Sequence, residues 1–296
     1  MSEFLQLVFA GLALGARYAL VALGFVIIYK ATGVINFAQG GLVALGAYLA
    51  YAYNSVTLFA LAVVLAALTA GLVGAAVERV VLRRMVGQPV FAVLMVTIGL
   101  LFVLEQVITA VWGYDALNLA DPWGVDTVKA GEVVLAERDL WTLGIAGAVL
   151  AAFFVFFRFS TLGVAMRATA FDQEAALAQG ISARRVFAAS WAISAGLAAL
   201  AGVTLAAGPA ALTPSISAIA LVAFPAMIVG GLDSPGGAVV GGLLIGVTQS
   251  LTSGYQEDVL PWAGQNLAAV MPYVVMVLIL LVRPYGLFGT REVRRV

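Results

Sequence analysis

The sequence predicts an all-α, polytopic helical membrane protein of about eight or nine transmembrane segments, with a coupling helix on its cytoplasmic face. Three observations predict it. The 296 residues are 63% hydrophobic and only 10% charged. Soluble domains average near 25% charged, so this chain cannot cover itself with polar surface and lipid is its solvent. Long apolar windows recur along the whole length, with no polar domain between them. Among them lies one polar, helix-prone island, GVAMRATAFDQEAALAQGISARRV at 163–186, which cannot sit in hydrocarbon and must face water.

A spanning helix needs about 20 mostly apolar residues. The first window runs over 4–29 and ends at Lys30. A secretory signal would open on basic residues, whereas this one opens with Glu3, so it reads as a retained helix. The second, 33–53, is Gly-rich and opens with polar Asn36 and Gln39, which leaves a full span and a broken, partly re-entrant helix both open. The third covers 57–82 and ends in a basic run at 78–84; the fourth covers 90–112. The longest polar stretch follows, a loop at about 113–139 flanked by interfacial aromatics Trp112, Tyr114, Trp123 and Trp141. A fifth window, 140–157, leads through Arg158 into a loop at about 159–185 that holds the island. The remaining windows are 186–207, a shorter 216–230, then 238–251 after the turn DSPGG, and 267–282 before the basic tail RPYGLFGTREVRRV. No linker divides the chain, so residues 1–296 read as one domain.

Orientation follows from Lys and Arg, which accumulate in cytoplasmic loops. If the loops alternate, Lys30, Arg79, Arg83, Arg84, Arg158, Arg167, Arg184, Arg185, Arg283, Arg291, Arg294 and Arg295 share one side, twelve of fifteen basic residues. Lys129 and Arg138 lie opposite, among Glu3, Asp115, Asp121, Asp126, Glu132, Glu137, Asp139, Glu257 and Asp258. The island and the C-terminus are therefore expected in the cytoplasm. Nine spans put the N-terminus outside and eight put it inside.

Small residues four apart, Gly11 and Gly15, Gly71 and Ala75, Gly237 and Gly241, Gly242 and Gly246, predict faces on which helices approach closely. Pro209, Pro214, Pro225 and Pro272 favour kinks or breaks. The absence of Cys and His removes disulfides, thiol nucleophiles, His-dependent triads and Cys/His metal sites, which argues against an enzyme. Zero formal net charge argues against a nucleic-acid partner. Two charges fall inside spans, Arg17 in the first and Glu105 in the fourth, and such charges are functional hypotheses by default. They read either as a pair for the carboxylate and ammonium of a zwitterion, or as an interhelical ion pair or snorkelling groups. Asn36 and Gln39 can hydrogen-bond a solute without a charge cost, although Asn36 also reads as a helix cap.

The island carries the most specific expectation. Residues 166–178 are helix-compatible, Gly180 stands where a glycine ends a helix, and Ser182 can cap the next one. A short surface helix, a turn and a span is the form of a coupling helix; a solvated loop with anchoring arginines is the other reading.

Glu174, Ala175, Ala176 and Gly180 reproduce the EAA-xxx-G pattern of ABC importer permeases. Around them, GVINFAQGGLVALGAY from Gly33, ERVVLRRMVG from Glu78, VTIGL from Val96, FPAMIVGGLDSPGGAVVGGLLIG from Phe224 and RPYGLFG from Arg283 follow in order. Together these blocks resemble the LivH-type permeases of branched-chain amino acid importers. The resemblance implies a pore-forming subunit of a prokaryotic inner membrane, with two cytoplasmic ABC ATPases, a second, LivM-like permease and an extracytoplasmic solute-binding protein as partners. It also implies that Arg167, Asp172, Glu174, Ala175, Ala176, Gly180, Arg184 and Arg185 face the ATPases. No G-x-x-x-x-G-K-[ST] occurs, so no cofactor is expected in this chain, and ATP and Mg would be bound by the partners. The same machine for urea, amides or aromatic acids is the near alternative. A stand-alone secondary transporter would need its own ion-coupling site and an internal repeat, and the sequence offers no such repeat.

Overall fold

The computed structural model describes residues 2–130, 133–207, 211–259 and 266–290. The chain is a helical bundle, and the order of its helices follows the apolar windows. Helix α1, Ser2–Thr32, is followed by α2, Gln39–Asn54, α3, Phe59–Val80, and α4, Val90–Trp112. Then come α5, Glu137–Phe159, the short pair α6, Thr161–Phe171, and α7, Gln173–Ala178, and α8, Ala183–Ala206. Helices α9, Ile219–Gly230, α10, Pro235–Val259, and α11, Leu267–Val282, complete it. Among the described residues six helices, α1, α3, α4, α5, α8 and α10, are long and apolar enough to cross a membrane. Helices α2, α9 and α11, of 16, 12 and 16 residues, are shorter than that.

The structure takes the broken one of the two readings left open for 33–53 and refines three other expectations. The 33–53 window is broken: helix starts at Gln39, and the preceding residues back to Gly33 are irregular. The 166–178 helix is two helices, because the Asp172 backbone is extended at φ −153° and its carboxylate accepts the Ala175 N–H, capping a new helix there. Helix α5 begins at Glu137, so Arg138 and Asp139 belong to its first turn and not to the 113–139 loop; acids there suit the positive end of the helix dipole. That loop also carries a two-stranded antiparallel hairpin, β1, Thr127–Ala130, against β2, Val133–Ala136. Pro225 and Pro272 lie inside helices that continue through them, while Pro214 opens a short 3₁₀ turn, Pro214–Ala218. Pro209, Glu132, Arg291, Arg294 and Arg295 lie outside the described residues.

Helix α1 is the axis of the bundle. Its side chains from Leu20 to Leu23 are fully buried, and those to Ile28 nearly so. Its glycine stripe meets the matching stripe of α10 with no side chain between. A methyl group on Gly15 would lie 2.6 Å from Leu243 Cα, and one on Gly11 would lie 2.7 Å from Val247 Cα. Gly242 stands equally close to Ala19, and Gly246 to the Gly15 backbone. Gly74 of α3 and Gly46 of α2 meet α8 in the same way, and Gly241 of α10 meets α9. In lipid this packing supplies the dispersion contacts that a water-driven core would otherwise supply.

At one end the chain ties itself together around Asp233. Lys30 Nζ donates to the Asp233 carbonyl at 2.8 Å, and the Asp233 carboxylate accepts the Thr290 N–H and hydroxyl. Leu287 and Phe288 donate backbone hydrogen bonds to Val229 and Gly230. Helices α6 and α7 are at this same end: Met166 and Phe157 share a small cleft with Lys30 and Pro235.

Gly246→Leu is expected to force α1 from α10 and to lower both monodisperse yield and thermal midpoint in detergent. Gly147→Leu, at an open position on α5, is expected to change neither. Equal behaviour of the two variants contradicts the packing account.

Candidate functional site

The irregular residues before α2 bring backbone polar groups into the bundle, where each must find a partner. The Phe37 N–H donates to Thr97 Oγ of α4 at 3.2 Å, and the Ala38 N–H donates to Asn36 Oδ1 at 3.0 Å. Asn36 Nδ2 reaches Gln39 Oε1 at 3.5 Å, and Ser194 Oγ of α8 lies 2.9 Å from that same oxygen and 2.9 Å from the Gly24 carbonyl. Asn36, Gln39, Thr97 and Ser194 are all at most 1% exposed. Gln39 fits only because Gly24 of α1 has no side chain, since a methyl there would overlap its amide nitrogen. That Nε2 has no hydrogen-bond partner among the described residues.

On the other side of this cluster, the 3₁₀ turn before α9 arrives from the opposite end of the bundle. Gly40 packs on the Ser217 carbonyl, and Ser217 Oγ donates to Glu105 of α4 at 2.5 Å. Two interrupted helices therefore begin against each other, with amides on one side of the junction and a half-buried carboxylate on the other.

Arg17 and Glu105 do not meet. Arg17 Nη2 donates to Asp139 Oδ1 at 3.0 Å and to Thr142 Oγ at 3.2 Å, both on α5. Arg17 thus forms an interhelical ion pair with Asp139, while Glu105 accepts from Ser217. Asp139, which composition places in the 113–139 loop, belongs to the first turn of α5, and Thr97, Ser194 and Ser217 carry no sequence signal beyond a hydroxyl within an apolar window.

Below Asn36 a cavity of about 220 Å³ opens between α1, α4, α8 and the connection from α3 to α4. Asn36, Thr97 and Trp191 lie at its deep end, and Met85, Gln88 and Gln173 lie toward water. Glu78 is its one ionisable lining residue, and both carboxylate oxygens are held by Arg83, at 2.6 and 3.2 Å.

The island presents a second surface. Ser160 caps α6 through the Gly163 N–H. Arg167 turns back to donate to the Phe157 and Arg158 carbonyls, over the Phe157 ring, so it fastens α6 to α5. After Asp172 caps α7, Ile181 N–H donates to the Ala176 carbonyl at 3.0 Å and Gly180 N–H to Leu177 at 2.9 Å, with Gly180 at φ +81°. This is a Schellman ending, which needs a residue at ease with positive φ. Ala176 is buried against the bundle, while Glu174 and Ala175 point outward. Arg184 and Arg185 are exposed in the first turn of α8, where their charge opposes the helix dipole and is available to an acidic partner. Phe171, at the joint of α6 and α7, is 95% exposed and was not singled out by sequence.

The family model for the permease component of branched-chain amino acid transport systems matches residues 7–280. The chain belongs to this permease family. The permease is 30% identical to the high-affinity branched-chain amino acid transport system permease protein LivH of Salmonella typhimurium, over 99% of this chain and 98% of that one. It is 31% identical to BraD of Pseudomonas aeruginosa, a protein of the same description, again over 99% and 98%. Among solved structures it resembles PsaBC from Streptococcus pneumoniae in complex with Fab, with a TM-score of 0.46 and 15% identity, covering 96% of this chain and 91% of that one. The permease is a transport protein and not an enzyme. Among its described residues no group of three or more His, Cys, Asp or Glu could hold a metal ion.

The Arg17–Asp139 pair is partly buried, so losing one partner costs less than the roughly 3 kcal/mol of a fully buried pair. Arg17→Ala and Asp139→Ala are each expected to lower the thermal midpoint of the solubilised permease, and the double variant to lose less than their sum. Strict additivity contradicts the pairing.

Proposed function

We propose that the permease is the membrane subunit of an ATP-driven importer for branched-chain amino acids, seated in a prokaryotic inner membrane with α6, α7 and the C-terminus in the cytoplasm. It pairs with a second, LivM-like permease, receives solute from an extracytoplasmic binding protein, and takes its energy from two ABC ATPases that bind ATP and Mg.

The observation that carries this reading is the mounting of α7. A six-residue helix has no stability of its own in water, yet this one is capped at both ends, tied to α5 through Arg167 and α6, and seated on the bundle by Ala176. Its outer face, with Asp172, Glu174, Ala175 and Gly180 and with Arg184 and Arg185 beyond it, is left open. A rigid, uncovered helix that continues through a single turn into a spanning helix transmits the displacement of a docked partner to the bundle as a rigid body. Asn36, Gln39 and Glu105, at the junction of two interrupted helices, line the solute path in this reading, as irregular backbone at depth commonly does in transporters.

Co-purification tests the docking. The tagged permease is expected to retain the ATPases encoded beside it, and the Glu174→Ala, Gly180→Val double variant is expected to lose them at equal permease yield. If wild type and variant retain them alike, α7 is not the docking element.

A further inference from the structure

We infer that the connection between α3 and α4 binds an anionic phospholipid from the leaflet on the α7 side, with the phosphate on Arg79 and Arg84 and an acyl chain along the outer face of α3. Nothing in this site depends on what the permease carries.

Charge singles out these two residues. Gln173 of α7 lines the same cavity as Met85 and Gln88, so the connection lies at the α7 end of the bundle. Most basic side chains at that end already have partners. Lys30 donates to the Asp233 carbonyl, Arg83 to Glu78, Arg167 to the Arg158 carbonyl and Arg283 to the Leu287 carbonyl. Arg158 lies over the Phe159 ring. Arg79 and Arg84 are exposed and have no hydrogen bond or ion pair among the described residues. Glu78 is the only acid between residues 59 and 104, and Arg83 neutralises it. The connection is left with two uncompensated positive charges.

Their surroundings decide the partner. Arg184 and Arg185 are also exposed, but among the described residues no large hydrophobic is exposed between Leu177 and Leu221. That pair faces water. Around Arg79 and Arg84, by contrast, Val80, Val86, Val90 and Phe91 are all more than half exposed. Leu72, Leu68 and Val64 carry the exposed apolar surface onward from Val80 as a ridge of positions four residues apart along α3. Leu68 and Val80 are twelve residues apart, about 18 Å at 1.5 Å per residue. One leaflet contributes about 15 Å of the 30 Å hydrocarbon core. An acyl chain laid on this ridge therefore brings its phosphate level with the two arginines.

Helices α3 and α4 both pack on α2 and have no appreciable contact with each other. Two exposed apolar faces thus flank the connection, the second carrying Phe91 and Met95 of α4. A guanidinium binds phosphate through two parallel hydrogen bonds. A zwitterionic headgroup would also bring an ammonium toward two arginines, whereas an anionic one brings none. Each basic residue near an anionic leaflet contributes roughly a five-fold factor in binding.

Native mass spectrometry tests the site. The full-length permease, extracted with the subunits that accompany it, would be offered phosphatidylglycerol or phosphatidylcholine of equal chain length and the retained lipid counted. Wild type is expected to retain phosphatidylglycerol several-fold better, and millimolar inorganic phosphate is expected not to displace it. The Arg79→Gln, Arg84→Gln variant is expected to lose the preference at unchanged yield, since neither guanidinium holds a partner within the chain. Arg79→Lys, Arg84→Lys is expected to keep most of it, and Arg184→Gln, Arg185→Gln all of it. No preference in wild type, or an undiminished one in the first glutamine variant, overturns the inference. Displacement by inorganic phosphate alone also overturns it, by assigning the arginines to a free anion. So does loss of the ATPases from the first glutamine variant with lipid retention unchanged, which assigns them to a protein partner.

Discussion

The contact between α1 and α10 is backbone against backbone, and the position of every other element depends on it. In lipid the exclusion of water contributes nothing to holding helices together, so close approach through glycine must supply the attraction. Gly11 and Gly15 on one helix and Gly242 and Gly246 on the other leave no room for a Cβ at the contact. With α10 on one side and α8 and α9 on others, α1 is enclosed, and Gly24 on its buried length leaves the space that admits the Gln39 amide. Arg17, nearer its beginning, finds Asp139 on α5 and is satisfied without entering the polar cluster.

Around that axis the bundle tolerates two interruptions. A break in a spanning helix costs unpaired backbone groups unless side chains or a water-filled cavity satisfy them. Here Thr97 and Asn36 take the N–H groups ahead of α2, and the break abuts both the cavity and the turn that leads into α9. Asn36, Gln39, Thr97, Ser194 and Ser217 gather at these interruptions, while Arg17, Asp139 and Thr142 form a separate polar group between α1 and α5. A path for a polar solute and an irregular backbone have the same requirement, hydrogen-bonding partners at depth, which is why the proposed solute path is placed at this junction.

Much of this was legible in the sequence, for reasons that differ by element. Helix α4 runs over Val90–Trp112 as its apolar window predicted, since Pro89 and Gly113 bound it sharply. Gly180 was readable because only one residue type is at ease in a Schellman ending. Asn36 and Gln39 stood out as amides in a Gly-rich window. The partner of Arg17 was not legible: the pair is 122 residues apart in sequence, and Asp139 lies at a helix start that resembles loop composition. The division of the island at Asp172 was hidden because aspartate is compatible with a helix interior until its side chain caps the next one. The hairpin at Thr127–Ala136 is too short for alternation to declare it, and the exposure of Phe171 depends on tertiary placement alone.

The measurement that tests the account most directly is uptake of radiolabelled leucine by proteoliposomes containing the permease, with its neighbouring ATPases, second permease and binding protein added or withheld one at a time. The account predicts uptake only with all of them present, and only with ATP on the side where α7 lies. Leucine uptake by the permease alone, driven by an ion gradient and indifferent to ATP, would contradict it.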